Sequence, residues 1–562
     1  VAYNKIEVIP KRKGDPAFTG ILYIQENSWR ITGVNLYLTK ENKINFVDTI
    51  RVTQVFKPVS GDSIWMPASS GMAFTFNIFG FNGSGYFNSV LSDYIINPEL
   101  EPDFFKRNIV SIEKGANEKD SAYWAENRPV PLTEEEKKDY HKKDSIAKIV
   151  EDPKYIDSID ARNNRFKLSD ILNGYTYRKR NKKIEWKIPG IMDAGIQYNT
   201  VEGINASVDF NFTKSYEDFR RINFTGKLRY GFSNQLPGAE IQYQYLFDRN
   251  RFEAFGFKAR SIVMQYNSKD PISPLINSIY TLFLNDNYMK TFRESAIGGF
   301  YRTELTPGIN FRTELNFIER QPLVNTTDLL LRDDPEKLFT SNDPLHVNTE
   351  DSLFTTNDAL IADVQFRIRF KQKYHTVAGT RYYAENKWPR LSVFYRKAIR
   401  VNTISSDFDL LGLTIRDDIE LKLFGQFMYV IKGGYYARLK KIYYMDYSHF
   451  NGNQTIISTS DYLNAFKLLP YYGVSTKNWY GEFHSEHHFN GFLINKIPLM
   501  RKLFLQEIVG FSALVNDKVD NYFEVNAGIK NIFRILRVDY VWSFRNGKPL
   551  NNGFMIGINT NF

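Results

Sequence analysis

Glu482, His484, Glu486 and His488 stand at alternate positions in one short segment. On an extended strand, alternate side chains point to the same face. Imidazole and carboxylate are good ligands for zinc and similar ions. Same-face neighbours on a strand lie ~6.5–7 Å apart, so two of the four can share an ion. The plainer reading is an ordinary polar stripe, with His487 facing the other way, and no metal is assigned. No G-x-S-x-G elbow, Walker A loop or H-E-x-x-H helix occurs. The chain has no cysteine, which removes disulfides, thiolate metal sites and cysteine nucleophiles. Arg312 with Glu314, and Glu420 with Lys422, read as charges that neutralise one another. No catalytic residue and no cofactor is assigned, and the chain reads as a non-enzyme.

The elements that position these residues show a period of two. Ile204, Ala206, Val208, Phe210 and Phe212 alternate with Asn205, Ser207, Asp209, Asn211 and Thr213. The same pattern places Lys227 and Arg229, Glu240, Arg312 and Glu314, Asp363, Arg367 and Arg369, and Arg537 and Asp539 on polar faces. The opposite faces are rich in Tyr, Phe and Trp. Many segments reach the ~9–11 residues of a strand tilted across a bilayer. The pattern therefore predicts an all-β chain with an antiparallel transmembrane β-barrel of about sixteen strands, these polar residues facing its lumen. Strand starts are expected near 192, 204, 222, 238, 252, 291, 309, 358, 390, 408, 426, 480, 503, 522, 534 and 553. The three longest connections, 267–290, 321–357 and 440–479, all follow odd-numbered strands and so emerge at one end. The long 371–389 connection dissents, because it falls at the other end. The last strand, with Gly553, Phe554, Ile556, Ile558 and Phe562, is expected to complete the barrel.

Composition agrees with this reading. The 562 residues are 43% hydrophobic and 15% aromatic, with a mean hydropathy of −0.40. No stretch approaches ~18 consecutive apolar residues, so no transmembrane helix is available. The net charge is +10, spread among acidic residues, and no nucleic-acid partner is expected. The chain begins at Val1 without a leader, as a mature, trimmed or partial sequence would.

Three regions follow. Residues 1–120 read as a periplasmic antiparallel sheet of short strands. Residues 121–185 read as a charged, partly helical linker, with Thr133 capping a helix that opens Glu134-Glu135-Glu136. Residues 186–562 form the expected barrel.

Several segments resemble known families. Tyr3–Lys11 followed by Gly20–Ile24 resembles the half-barrel of periplasmic lipoprotein carriers. Phe489-Asn490-Gly491-Phe492, Gly528-Ile529-Lys530-Asn531, Leu536-Arg537-Val538-Asp539-Tyr540 and Gly553–Gly557 resemble the last strands of the BamA/TamA superfamily of outer-membrane assembly barrels. In that superfamily a loop carrying an Arg-Gly-aromatic tip enters the lumen. The corresponding segment here, His449–Thr455, keeps Phe450 and Gly452 as lumen-loop candidates but lacks the Arg-Gly-aromatic. Ile9-Pro10-Lys11-Arg12, Arg128–Glu136 and Tyr198–Gly203 resemble a Bacteroidota outer-membrane family of unknown function, whose members usually carry an additional N-terminal carboxypeptidase-regulatory-like domain. These resemblances imply a bacterial outer-membrane location with the N-terminal domain and C-terminus periplasmic. They imply outer-membrane lipids and proteins of an outer-membrane complex as partners. The implied role is envelope biogenesis or transport of protein or lipoprotein, the alternatives being a channel or an accessory subunit of a larger machine.

Overall fold

The computed structural model describes all residues except 1, 12–16, 43–46, 62–63, 79–80, 101–107, 113–114, 116–118, 129, 191–194, 333–336, 347–353, 378, 459–460, 498–499, 504 and 559–562. The chain divides into two compact units, residues 1–105 with 119–132, and residues 106–118 with 133–562.

In the first unit, β1 (Tyr3–Val8), β2 (Thr19–Gln25), β3 (Ile31–Thr39), β4 (Val47–Ser60), β5 (Ile64–Ile78) and β6 (Phe81–Val90) pair antiparallel in sequence order. Among its described residues no large apolar side chain is buried, so this sheet is a single layer. Helix α1 (Ser121–Asn127) starts at Asp120, whose carboxylate accepts from the Tyr123 N–H.

The second unit begins with β7 (Asn108–Ile112), α2 (Glu134–Glu151), α3 (Pro153–Asn163) and α4 (Ser169–Asn173). Helix α2 forms where the Thr133 and acidic signature places it. The Glu136 N–H donates to Thr133 Oγ1 at 3.2 Å, and the Thr133 N–H donates back to Glu136 Oε2 at 2.8 Å. Then come β8 (Tyr175–Lys179), β9 (Ile184–Ile188), β10 (Gln197–Asn199), β11 (Gly203–Ser215), β12 (Arg221–Gly231), β13 (Pro237–Asp248), β14 (Glu253–Gln265), α5 (Pro274–Leu284), β15 (Thr291–Thr306), β16 (Ile309–Pro322) and β17 (Asn357–Arg369). The remainder is β18 (Tyr374–Val377), β19 (Thr380–Tyr383), β20 (Arg390–Ile399), β21 (Asp407–Glu420), β22 (Gln426–Lys441), β23 (Ile457–Ser458), β24 (Trp479–His488), β25 (Gln506–Asn516), β26 (Val519–Ile532), β27 (Leu536–Arg545) and β28 (Lys548–Ile558).

All strands from β8 to β28 except β18 and β19 belong to one large sheet, built mainly by antiparallel pairing of successive members, with β20 beside β17 and β24 beside β22. Local chemistry sets some of its registers. Asn546 and Gly547 both take positive φ, 51° and 73°, as a tight two-residue hairpin requires, and Arg545 accordingly faces Lys548.

The expected transmembrane barrel is corrected here. Strand β28 pairs with β27 and, over two residues, in parallel with β23. At the other end β10 and β9 pair with β11, and β8 with β9. The strand order runs on from β28 to β8, but no residue register between those two strands is formed among the described residues, and Phe562, expected in the final strand, lies outside them. No described helix is long and apolar enough to cross a membrane. Alternation reports a sheet with two unlike faces, which an unclosed sheet also has, so period two carried the strands but not their closure. The outer-membrane location, the periplasmic placement of both ends, the lipid and complex partners, and the assembly, transport, channel or accessory-subunit roles rested on that closure and are withdrawn with it.

The polar face also differs from a wet lumen. The long connections 266–290, 323–356 and 442–478 pack on one another. Tyr266, Phe292, Tyr444 and Met445 form one cluster, and Ile272, Met289 and Tyr471 another. The third connection continues down onto the sheet, where Phe450, Phe466 and Leu469 join Leu514, Val519 and Tyr522 in a buried core. The dissenting 371–389 connection is a hairpin, β18–β19, with β7 alongside β18 in parallel.

Candidate functional site

The strand stripe lies beneath this connection. Glu482, His484, Glu486 and His488 share one face of β24 and are all buried. Register places Lys432 of β22 opposite Glu482 on one side, and Ser512 of β25 opposite His484 on the other. Lys432 Nζ lies 2.8 Å from Glu482 Oε1. His484 Nε2 lies 2.7 Å from the same oxygen, and its Nδ1 lies 2.9 Å from Ser512 Oγ. Further along, Arg537 of β27 reaches Glu486 through two contacts of 2.6 and 3.1 Å, and donates from Nε to Asp539 Oδ2 at 2.6 Å. His488 Nε2 is 3.1 Å from Glu486 Oε2, while Lys530 Nζ is 2.9 Å from its Nδ1.

Electrostatics keep the carboxylates of the network ionised. Burial raises the Glu482 carboxyl, but the Lys432 charge and the His484 contact together bring it below the usual carboxylate range. Burial likewise opposes ionisation of Glu486, and Arg537 and His488 reverse it. Burial lowers His484, which favours the neutral imidazole. Charges taken out of water are tolerated when each has a partner, and here each carboxylate faces a cation.

The connection seals the network from above. The Phe466 ring sits 4.6 Å from the His484 ring, and the Arg537 guanidinium lies 3.7 Å from the Tyr462 ring centre. The backbone N–H groups of Lys467 and Leu468 donate to Glu524 at 2.7 and 2.8 Å. Gly452 is required at this crossing, since a Cβ there would meet the Leu469 carbonyl oxygen at 2.1 Å. Phe450 is 2% exposed; both loop candidates are packing residues of the seal.

Ser512, His484 and Glu482 are linked in the order nucleophile, imidazole, carboxylate, an order associated with acyl transfer. Both Ser512 and His484 are buried to within 1%, beneath Phe466. Among the described residues no group of three or more His, Asp or Glu is arranged to hold a metal ion, and the Glu482–His484 contact leaves its facing atoms bound to each other.

The other polar residues named from the sequence fall into separate places. Asn205 is fully buried. Arg229 Nε donates to Glu202 at 2.7 Å. Asp209 and Lys227 are 3.6 Å apart, and Glu240 is 3.2 Å from Lys258. Arg312 pairs with Glu314 at 2.8 Å, and Asp363 with Arg396 at 2.7 Å. Arg367 and Arg369 end β17, and no ion pair is formed by either among the described residues. On β28, Phe554 packs on Tyr540 at 4.7 Å, Ile556 is exposed, Gly553 pairs with Val541, and Ile558 with Leu536. Sequence reading missed Lys432, Ser512 and Lys530. Alternation alone does not single them out, since Lys432 shares its face with Met428 and Val430, and Ser512 with Ile508 and Leu514; only register shows that they meet the stripe.

No curated protein matches the chain. A solved structure of BamA from Haemophilus ducreyi lacking POTRA domains 1–3 is similar over 90% of this chain and 88% of that one, at 8% identity and a TM-score of 0.34. A likeness of that strength carries no argument about architecture or activity. The resemblance to outer-membrane assembly barrels, and the outer-membrane location it implied, are corrected by the sheet, in which no register among the described residues closes a barrel. Residues 1–94 match the model of the family of unknown function DUF5686, and residues 169–529 match the model of its C-terminal domain. With well over half its length so matched, the chain belongs to the DUF5686 family.

Proposed function

We propose that this chain is a non-catalytic binding protein for small polar ligands. A contrast carries this reading: the groups with acid–base or nucleophilic potential are paired and sealed, whereas open concavities on the same unit are lined by charge. One such cavity, of about 540 Å³, lies among α4, β8, β9, β11, β12 and β13, within the ~300–1,000 Å³ usual for ligand pockets. Lys187, Lys227, Asp209 and Glu240 line it together with Asn211 and Thr225. Both signs of charge beside neutral donors suit a zwitterion such as an amino acid or short peptide.

Thermal-shift titration of the full chain with free amino acids and di- and tripeptides tests the reading. A member of the set should stabilise the wild type, and Thr225→Trp, which fills the cavity, should abolish the shift. No stabilisation by any member would remove the ligand class. Labelling of Ser512 by a fluorophosphonate, lost in Ser512→Ala, would overturn the non-catalytic assignment.

A further inference from the structure

A second concavity, of about 350 Å³, lies elsewhere on the large sheet and is lined by Arg302, Arg312 and Arg367. Its arginines come from three adjacent strands. Arg302 of β15 is directly opposite Arg312 of β16. Arg312 is opposite Gln365 of β17, and Arg367 follows two residues on, opposite Asn310. Since cross-strand partners share a face, all three guanidinium groups emerge on one side of the sheet. Like charges directly opposite one another are destabilising, so this arrangement has a cost in the unliganded protein.

Nearby carboxylates relieve it only at Arg312. Arg312 has Glu314 at 2.8 Å. Arg302 and Arg367 form no ion pair among the described residues, and the buried Arg302 Nε has no hydrogen-bond partner. Glu304, two residues from Arg302 on β15, is committed to the hairpin: it accepts from Arg381 Nη1 at 2.9 Å, from the Gly308 N–H at 2.8 Å and from the Tyr383 hydroxyl. Asp363 is held by Arg396 through contacts of 2.7 and 3.2 Å. Burial lowers the Arg302 guanidinium, and the neighbouring Arg312 charge lowers it further.

Two further features shape the site. Tyr383, fixed by Glu304, forms part of its wall, so the β18–β19 hairpin is clamped beside the arginines. The Arg312 guanidinium lies 4.9 Å from the Phe300 ring centre, which orients it. Planar guanidinium forks match the paired oxygens of oxyanions, and a concave cationic surface focuses the field on a multivalent one.

We propose that Arg302, Arg312 and Arg367 form a binding site for a multivalent oxyanion of the phosphate or pyrophosphate class, held between the sheet and the β18–β19 hairpin. The site is distinct from the mixed-charge cavity, so either assignment stands or falls alone.

Calorimetric titration of the full chain with sodium pyrophosphate at low salt tests it, with sodium acetate as the singly charged comparison. One pyrophosphate should bind per chain, and acetate at least tenfold more weakly. Arg302→Gln and Arg367→Gln should each weaken pyrophosphate at least tenfold, and Arg302→Lys by less than Arg302→Gln. Lys143→Gln, on exposed α2, should bind as the wild type does. Arg367 is exposed, so its variant keeps the test decisive if Arg302→Gln does not fold. Absence of pyrophosphate binding, equal affinity for acetate, or unchanged affinity in Arg367→Gln would overturn the proposal.

Discussion

Arg320 on β16 and Asp446, 126 residues further along the chain, form a buried two-pronged ion pair at 2.8 and 2.6 Å. Ser406 Oγ donates to the same carboxylate at 2.6 Å. One strand thereby holds the start of the connection that seals the network beneath it.

Asp446→Ala should therefore destabilise the large unit strongly. Removing one partner leaves Arg320 as an uncompensated buried charge, a loss of about 3–5 kcal/mol. Arg320→Met combined with Asp446→Leu should recover most of it. Chemical denaturation of the two variants beside the wild type measures both effects.

Gly452→Ala should lift the connection from the sheet, because its Cβ would overlap the Leu469 carbonyl oxygen. Backbone cannot yield as a flexible side chain does, so a loss of about 2 kcal/mol or more is expected. Limited proteolysis should then cut within 448–478 faster than in the wild type.

Lys290 gives stability a basic-side dependence on pH. Burial pushes its ammonium down to about 7 from 10.5, and Thr340 supplies its hydrogen bonds, the one to Oγ1 being 2.6 Å. Between pH 7 and 10.5 the unfolded chain holds this proton and the folded chain does not, so stability rises with pH across that window. Below pH 7 both states are protonated and the cost of the buried charge is fully present. Relative to Lys290→Met, the wild type should gain a few kcal/mol between pH 7 and 10, read from melting curves.

His449 acts at the acid side. It is buried, 2.8 Å from Ser475 Oγ, and burial pushes it down to about 4 from 6.5. The unfolded chain takes up the proton first as pH falls, so stability is lost between 6.5 and about 4. His449→Gln should flatten that part of the profile, and hydrogen exchange of 444–478 at pH 4.5 and 7 should show the connection opening first.

Much of the secondary structure was legible because alternation is a local property. The segments beginning near Ile204, Ile222, Thr291, Ile309, Arg390 and Gln426 are strands, and the helix after Thr133 follows its capping signature. Closure was not legible, since it depends on which edges meet, and Ile204 and Val208 alternate with Asn205, Ser207 and Asp209 whether or not the edges of the sheet pair. The stripe from Glu482 to His488 was visible, but Lys432, Ser512 and Arg537 reach it through register. The 371–389 connection stood out by length; that Glu304 clamps it beside three arginines depends on contacts about 77 to 79 residues apart in sequence.

The two-residue strand β23 has a bearing on how molecules of this chain meet one another. Free strand edges present unpaired N–H and C=O groups on which other chains can build. Ile457 and Ser458 lie along Ile556 and Gly557, and the Ile556 N–H donates to the Ile456 carbonyl at 2.8 Å, so part of that edge is already occupied by the chain's own backbone. The covering segment belongs to the connection held by Arg320 and Asp446. Whatever loosens that ion pair also bares a template for intermolecular strand addition, which ties resistance to aggregation to a buried contact far from the edge in sequence.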